Sequence, residues 1–220
     1  MTKTKTHIYF VPGLAASSKI FEYLKFPEEQ FQLHFLEWLL PISEKESLND
    51  YAARMASFVK EENAVLVGVS FGGIIVQEMS KHIAVKKVIL VSSIKSNKEL
   101  PKRLKVIQKT KIYKLFPAHA IKNIEGFFKY AFGDYAKKRV KIYREYLSVR
   151  DETYLKWAIF NVLHWNQKKP LENIVHIHGT EDEIFPIKYI KNCIAVEKGT
   201  HIMILNRAKK ISSIIINSLN

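Results

Sequence analysis

Cysteine is almost missing: Cys193 is the only one in 220 residues, so no disulfide can form within the chain. A single thiol fits a reducing compartment. There is also no run of about 18 apolar residues, so no membrane-spanning helix is expected. The first six residues are polar, and the apolar run after them, residues 7–11, is too short for a signal-peptide core and lacks a small-residue cleavage site. These absences predict a cytoplasmic protein with no integral membrane segment. His, Cys, Asp and Glu fall at no metal-ligand spacing, so no metal and no cofactor are expected. Internal repeats and low-complexity tracts are lacking too. Glycine is sparse, with 8 residues, and its placement becomes informative below.

What is present describes a globular chain. Hydrophobic residues make up 47% of the sequence, enough for one substantial core and one domain. The formal net charge is +14, but it is unevenly spread. Residues 95–167 hold 17 Lys and Arg against 6 Asp and Glu, a net of +11, which leaves +3 for the remainder. The basicity is therefore local. No groove-reading element or aromatic–basic motif accompanies it, so nucleic acid is not an expected partner. Its simplest reading is a solvated face; the sharper one is attraction to anionic substrates or an anionic lipid surface.

Short apolar runs alternate with helical periodicity. Residues 7–11, 31–39, 64–69, 86–93, 173–178 and 193–197 read as strands, and residues 47–61, 74–82 and the stretch from Leu205 onward read as helices. Ser47 or Asn49 can cap the first helix. Runs that are apolar on both faces and separated by helices predict an α/β fold with a mostly parallel sheet and helices on both faces. From residue 96 to 167 the alternation stops. That segment has helical spacing and many aromatics (Tyr113, Phe116, Phe127, Phe128, Tyr130, Phe132, Tyr135, Tyr143, Tyr146), so it reads as an insertion between two sheet strands. The predicted organisation is a core of residues 1–95 and 168–220 with a helical cap, or lid, of residues 96–167.

Gly68-Val69-Ser70-Phe71-Gly72 carries the chemistry. With 8 Gly and 14 Ser in the chain, such a pattern is expected by chance only about 0.02 times. It follows a buried strand and opens a helix, the setting of a nucleophile elbow. There a serine sits on a strained turn, and flanking Cβ atoms would collide with the neighbouring strand or helix. A serine needs a base and the base needs an orienter. Glu181, Asp182 and Glu183 follow the strand at 173–178, and the spacing from His178-Gly179 favours Asp182. His201 follows the last strand in Gly199-Thr200-His201. The order is Ser70, then acid, then His201, each just past the C-terminal end of a strand, where open α/β sheets form their sites. The oxyanion donors would be the N–H of Phe71 and that of Leu14 in the loop after the first strand, with Gly13 allowing close backbone approach. Six of the 8 glycines (Gly13, Gly68, Gly72, Gly73, Gly179, Gly199) lie in these four loops. His7, His34, His82, His119 and His164 are expected to be structural, His176 to lie in the core, and His178 to brace the acid loop.

Together, Phe10-Val11-Pro12-Gly13-Leu14, the Ser70 pentapeptide, His178-Gly179-Thr180-Glu181-Asp182 and Gly199-Thr200-His201 resemble the four signature loops of the α/β-hydrolase fold superfamily. The resemblance covers residues 7–95 and 168–220. It implies a triad of Ser70, Asp182 and His201 and a helical cap after the strand that ends near Ser93. Two features depart from the family pattern. The chain starts at what would be the third strand, a shortened N-terminus, and Val11-Pro12-Gly13 replaces the common His-Gly pair in the oxyanion loop.

A Ser nucleophile argues against epoxide hydrolase or haloalkane dehalogenase chemistry, which would put Asp at position 70. The expected activity is hydrolysis of a small-molecule carboxylic ester or thioester through an acyl-enzyme on Ser70. Two alternatives stand beside it: a non-catalytic ligand-binding or scaffold protein on the same fold, and a hydrolase that works on lipid surfaces through its basic cap. The sequence leaves oligomeric state open.

Overall fold

The computed structural model describes residues 4–115 and 145–219. One sheet contains β1 (Thr6–Val11), β2 (Phe31–Phe35), β3 (Ala64–Val69), β4 (Val85–Val91), β5 (Ile174–Gly179) and β6 (Ile194–Val196). Its order is β2-β1-β3-β4-β5-β6, and every neighbouring pair is parallel. The sequence requires this arrangement: β3 is buried at every position, which only a sheet covered on both faces allows.

Among the described residues the helices are α1 (Leu48–Ala56), α2 (Phe71–Met79), α3 (Lys102–Thr110), α4 (Glu152–His164), α5 (Met203–Asn206) and α6 (Ala208–Leu219). Successive strand residues point to opposite faces, so Tyr9 and Phe10 report on the two layers. Tyr9 faces the end of α1, where its hydroxyl accepts the Lys60 N–H at 3.1 Å. Phe10 faces the other way, with its ring 5.0 Å from that of Phe21. The turn Ser18–Phe21 contacts α5, and the Lys25 N–H donates to Ser212 Oγ of α6 at 3.0 Å. Helices therefore cover both faces.

Boundaries differ from expectation where tertiary contacts intervene. Ser47 caps α1 as anticipated, accepting the Asp50 N–H at 3.1 Å, but the helix stops at Ala56 rather than 61. Beyond it the chain turns so that Lys60 and Glu61 reach Tyr9, and Asn63 takes a positive φ of 55°. β2 ends at Phe35 instead of 39. α2 begins at Phe71, directly after the nucleophile candidate. The C-terminal helical stretch is broken at Arg207 into α5 and α6.

Between β4 and β5 the described residues hold helices and short turns and no strand of the sheet. Leu147 makes one antiparallel bridge to Ala16, a pairing the sequence did not signal. Phe116, His119, Phe127, Phe128, Tyr130, Phe132, Tyr135 and Tyr143 lie outside the described residues. α4 is built into the core: Trp157 and Tyr154 are fully buried, and Trp157 Nε1 donates to the Glu46 carbonyl at 2.8 Å. Among the described residues no helix is long and apolar enough to cross a membrane.

The chain runs outward from β1 to β2, then returns to β3 on the other side of β1. This reversal parts the loops after β1 and β3 and opens a crevice at the C-terminal edge of the sheet. Both the Gly13 loop and Ser70 sit at that point.

Candidate active site

Ser70 joins β3 to α2 with φ 54° and ψ −118°, a strained conformation for a residue with a Cβ. Its backbone is held on both sides. The Ser70 N–H donates to the Val91 carbonyl at 3.0 Å, and its own carbonyl accepts from Ser93 Oγ at 2.7 Å and from the Gly73 N–H at 2.9 Å. The flanking glycines are obligatory. A Cβ on Gly68 would lie 2.3 Å from the Gly72 carbonyl oxygen, and one on Gly72 would lie 2.3 Å from that of Pro12. These obstacles are backbone and cannot swing aside. Gly13 is different, since a Cβ there would meet Ser70 Cβ at 3.6 Å, an ordinary contact. The close approach expected at Gly13 falls instead at Gly72, beneath Val11 and Pro12.

The acid and histidine loops are knitted together. The Thr180 N–H donates to the Val196 carbonyl at 3.0 Å and the Glu181 N–H to that of Gly199 at 2.8 Å. Gly179 and Gly199 lie back to back, and a Cβ on the first would fall 2.2 Å from the carbonyl oxygen of the second. This brings two side chains 19 positions apart into contact. His201 Nδ1 lies 2.9 Å from Asp182 Oδ2 and 3.1 Å from Oδ1. Asp182 is buried, and its Oδ1 also accepts the N–H groups of Ile184 at 2.8 Å and Phe185 at 2.9 Å. An acceptor-only carboxylate at Nδ1 keeps the proton there, so Nε2 carries the lone pair. Nε2 faces Ser70 Oγ at 2.9 Å, positioned to accept its hydroxyl proton. Of the three acidic candidates, Asp182 is the one that meets His201.

No protein family and no curated protein matches the sequence. Solved structures do match over nearly the whole chain. A hydrolase from Pseudomonas aeruginosa PA01 aligns with TM-score 0.69 and 13% identity, over 98% of this chain and 90% of that one. An esterase from Thermogutta terrifontis aligns with TM-score 0.65 and 11% identity, over 99% and 90%. A lipase-esterase related protein from Clostridium acetobutylicum ATCC 824 aligns with TM-score 0.64 and 17% identity, over 99% and 96%. The chain has the α/β-hydrolase fold.

Within this hydrolase fold, the loop after β1 is clamped at each side of Leu14. Trp38 Nε1 donates to the Gly13 carbonyl at 3.0 Å, and the Ala15 N–H donates to the buried Tyr154 hydroxyl at 3.3 Å. Trp38 also stacks on Phe71, with ring centroids 5.3 Å apart. The Phe71 N–H opens α2, where the first N–H groups have no intrahelical carbonyl to bond. Trp38, Tyr154 and Ser93 carry no motif; only folding brings them to the loops they hold.

His178 braces the acid loop as anticipated: its Nε2–H donates to the Phe185 carbonyl at 2.7 Å. Its Nδ1 is then an acceptor, so His176 Nε2–H donates to it at 3.2 Å. That leaves His176 Nδ1 as a buried acceptor with no partner among the described residues. Burial pushes both imidazoles below their ordinary pKa, His176 far below, with the nearby Asp182 carboxylate opposing the shift at His178. Both rings are neutral. Arg103 of α3 donates to the Glu183 and Ile184 carbonyls, tying the segment after β4 to the acid loop. His164 stacks on Phe160 away from this site. His7 and His34, which show no metal-ligand spacing in sequence, lie within hydrogen-bond distance of each other.

Proposed function

We propose that this protein is a serine hydrolase that cleaves small-molecule carboxylic esters or thioesters through an acyl-enzyme on Ser70. The observation that carries this reading is the unbroken run of hydrogen bonds from Asp182 through His201 to Ser70 at the crevice of a hydrolase fold. His201 Nε2 takes the hydroxyl proton as Ser70 Oγ attacks the carbonyl carbon. The Leu14 and Phe71 N–H groups receive the developing oxyanion, aided by the positive end of α2. When the tetrahedral intermediate collapses, the proton on His201 goes to the departing alcohol or thiol. Water then gives a proton to His201 and its oxygen to the acyl carbon, and collapse releases the acid and restores Ser70. Asp182 holds the imidazole in one tautomer and stabilises its protonated form.

In this reading residues 1–95 and 168–220 form the core, and residues 96–167 form a cap rooted in the core through Tyr154 and Trp157. The substrate would be met in the cytoplasm. Labelling with a fluorophosphonate probe tests the chemistry. The native protein should be labelled and Ser70→Ala should not. A panel of esters and thioesters of graded acyl length then assigns the bond. An unlabelled native protein, or a Ser70→Ala variant that hydrolyses p-nitrophenyl esters at the native rate, would overturn the proposal.

A further inference from the structure

His7 in β1, His34 in β2 and Glu61 in the turn between α1 and β3 meet on one face of the sheet. β1 and β2 pair in parallel with Tyr9 opposite His34, so His7, Tyr9 and His34 share one face. His7 Nδ1 lies 2.9 Å from His34 Nε2 and 3.9 Å from Glu61 Oε1. One donor atom from each of the three residues falls within 4.8 Å of the others. We propose that this cluster binds a divalent first-row transition ion, with Zn²⁺ the probe of choice.

Two imidazoles and a carboxylate form a borderline donor set that suits Zn²⁺ and leaves a fourth position for water. Tetrahedral donors at about 2.0–2.1 Å from zinc stand about 3.3 Å apart. The imidazoles therefore part by a few tenths of an ångström, and the half-exposed Glu61 closes by somewhat more. The surrounding contacts orient the donors in advance. The Tyr9 hydroxyl donates to Glu61 Oε2, which leaves Oε1 turned to His7. The His34 ring stacks on Tyr9 with centroids 4.3 Å apart and planes 8° from parallel. Such outer contacts fix ligand orientation in metal sites. His7 lies roughly 13 Å along β1 from the strand end at Val11, at about 3.3 Å per residue, and the loop that carries Leu14 begins only beyond that end. A bound ion would thus act on the edge strand β2, tying it to β1 and to the turn before β3, and not on the acyl chemistry.

The test is calorimetry and thermal unfolding of EDTA-dialysed protein with ZnCl₂, with Mg²⁺ and Ca²⁺ as controls. One equivalent should bind, and the melting temperature should rise by roughly 5–10 °C at a hundredfold excess over Kd. Mg²⁺ and Ca²⁺ should do neither. His34→Gln and Glu61→Gln should lose the equivalent and the shift, while His201→Gln keeps both. Absence of zinc binding overturns the proposal. So does an equivalent that survives His34→Gln and Glu61→Gln, or one lost in His201→Gln instead. None of these readouts depends on esterase activity.

Discussion

Replacing Asp182 with asparagine changes one atom's chemistry and leaves the shape almost intact, so it isolates the role of the acid. The outcome follows from the hydrogen bonds around it. Oδ1 accepts the Ile184 and Phe185 N–H groups at 2.8 and 2.9 Å, so in Asp182→Asn the amide oxygen must stay at that position. The NH₂ group then replaces Oδ2, which lies 2.9 Å from His201 Nδ1. An NH₂ donor there forces Nδ1 to accept and moves the imidazole proton to Nε2, where it points at Ser70. The base is lost although every heavy atom keeps its place. Enzymes with this arrangement lose about 10⁴ in kcat for the same change, or roughly 5 kcal/mol of transition-state stabilisation. Asp182→Ala frees the ring to choose its tautomer but strands two buried N–H groups. The asparagine variant should therefore be at least as slow as the alanine variant and clearly more stable. Steady-state hydrolysis of a p-nitrophenyl ester, with melting temperatures for both variants, decides it. An asparagine variant within tenfold of the native kcat would refute the tautomer reasoning.

Two further outcomes rest on groups outside the triad. Tyr154→Phe removes the acceptor of the Ala15 N–H, which is fully buried; stability should fall by about 1–2 kcal/mol, and kcat roughly tenfold with little change in KM, a fraction of the 10²–10³ lost with a whole oxyanion donor. A lowered melting temperature with an unchanged kcat would mean that Tyr154 serves packing alone. His176 and His178 are held neutral by burial, below their ordinary pKa, while the unfolded chain protonates near 6.5. The unfolded state therefore gains protons first as pH falls, and stability declines below about pH 6.5, by up to about 1 kcal/mol per histidine between pH 6.5 and 5.5. Urea unfolding at pH 7.5 and 5.5 should show this loss, and His176→Leu should flatten it; equal pH dependence in both proteins would count against the assignment.

The sequence by itself determined what depends on near neighbours. Six apolar runs gave six parallel strands because residues 64–69, buried on both faces, have no other stable place. Gly68, Ser70 and Gly72 were legible because one tight bend needs all three within five positions, and the carbonyls that exclude a Cβ belong to that bend and to β1. Ser70, Asp182 and His201 could be named because each lies just beyond a strand end, and parallel strands deliver their ends to one edge.

Only the tertiary structure decided which distant side chains meet. Trp38 and Tyr154 reach the peptides beside Leu14, Ser93 reaches the Ser70 carbonyl, and Asp182 rather than its acidic neighbours reaches His201. The closeness of His7, His34 and Glu61 likewise depends on the register of β1 against β2 and on where α1 stops, not on spacing along the chain. The reason is physical: a bend or a buried strand is specified by local sterics and solvation, whereas contacts between remote residues follow from register and packing, which no short window of sequence contains.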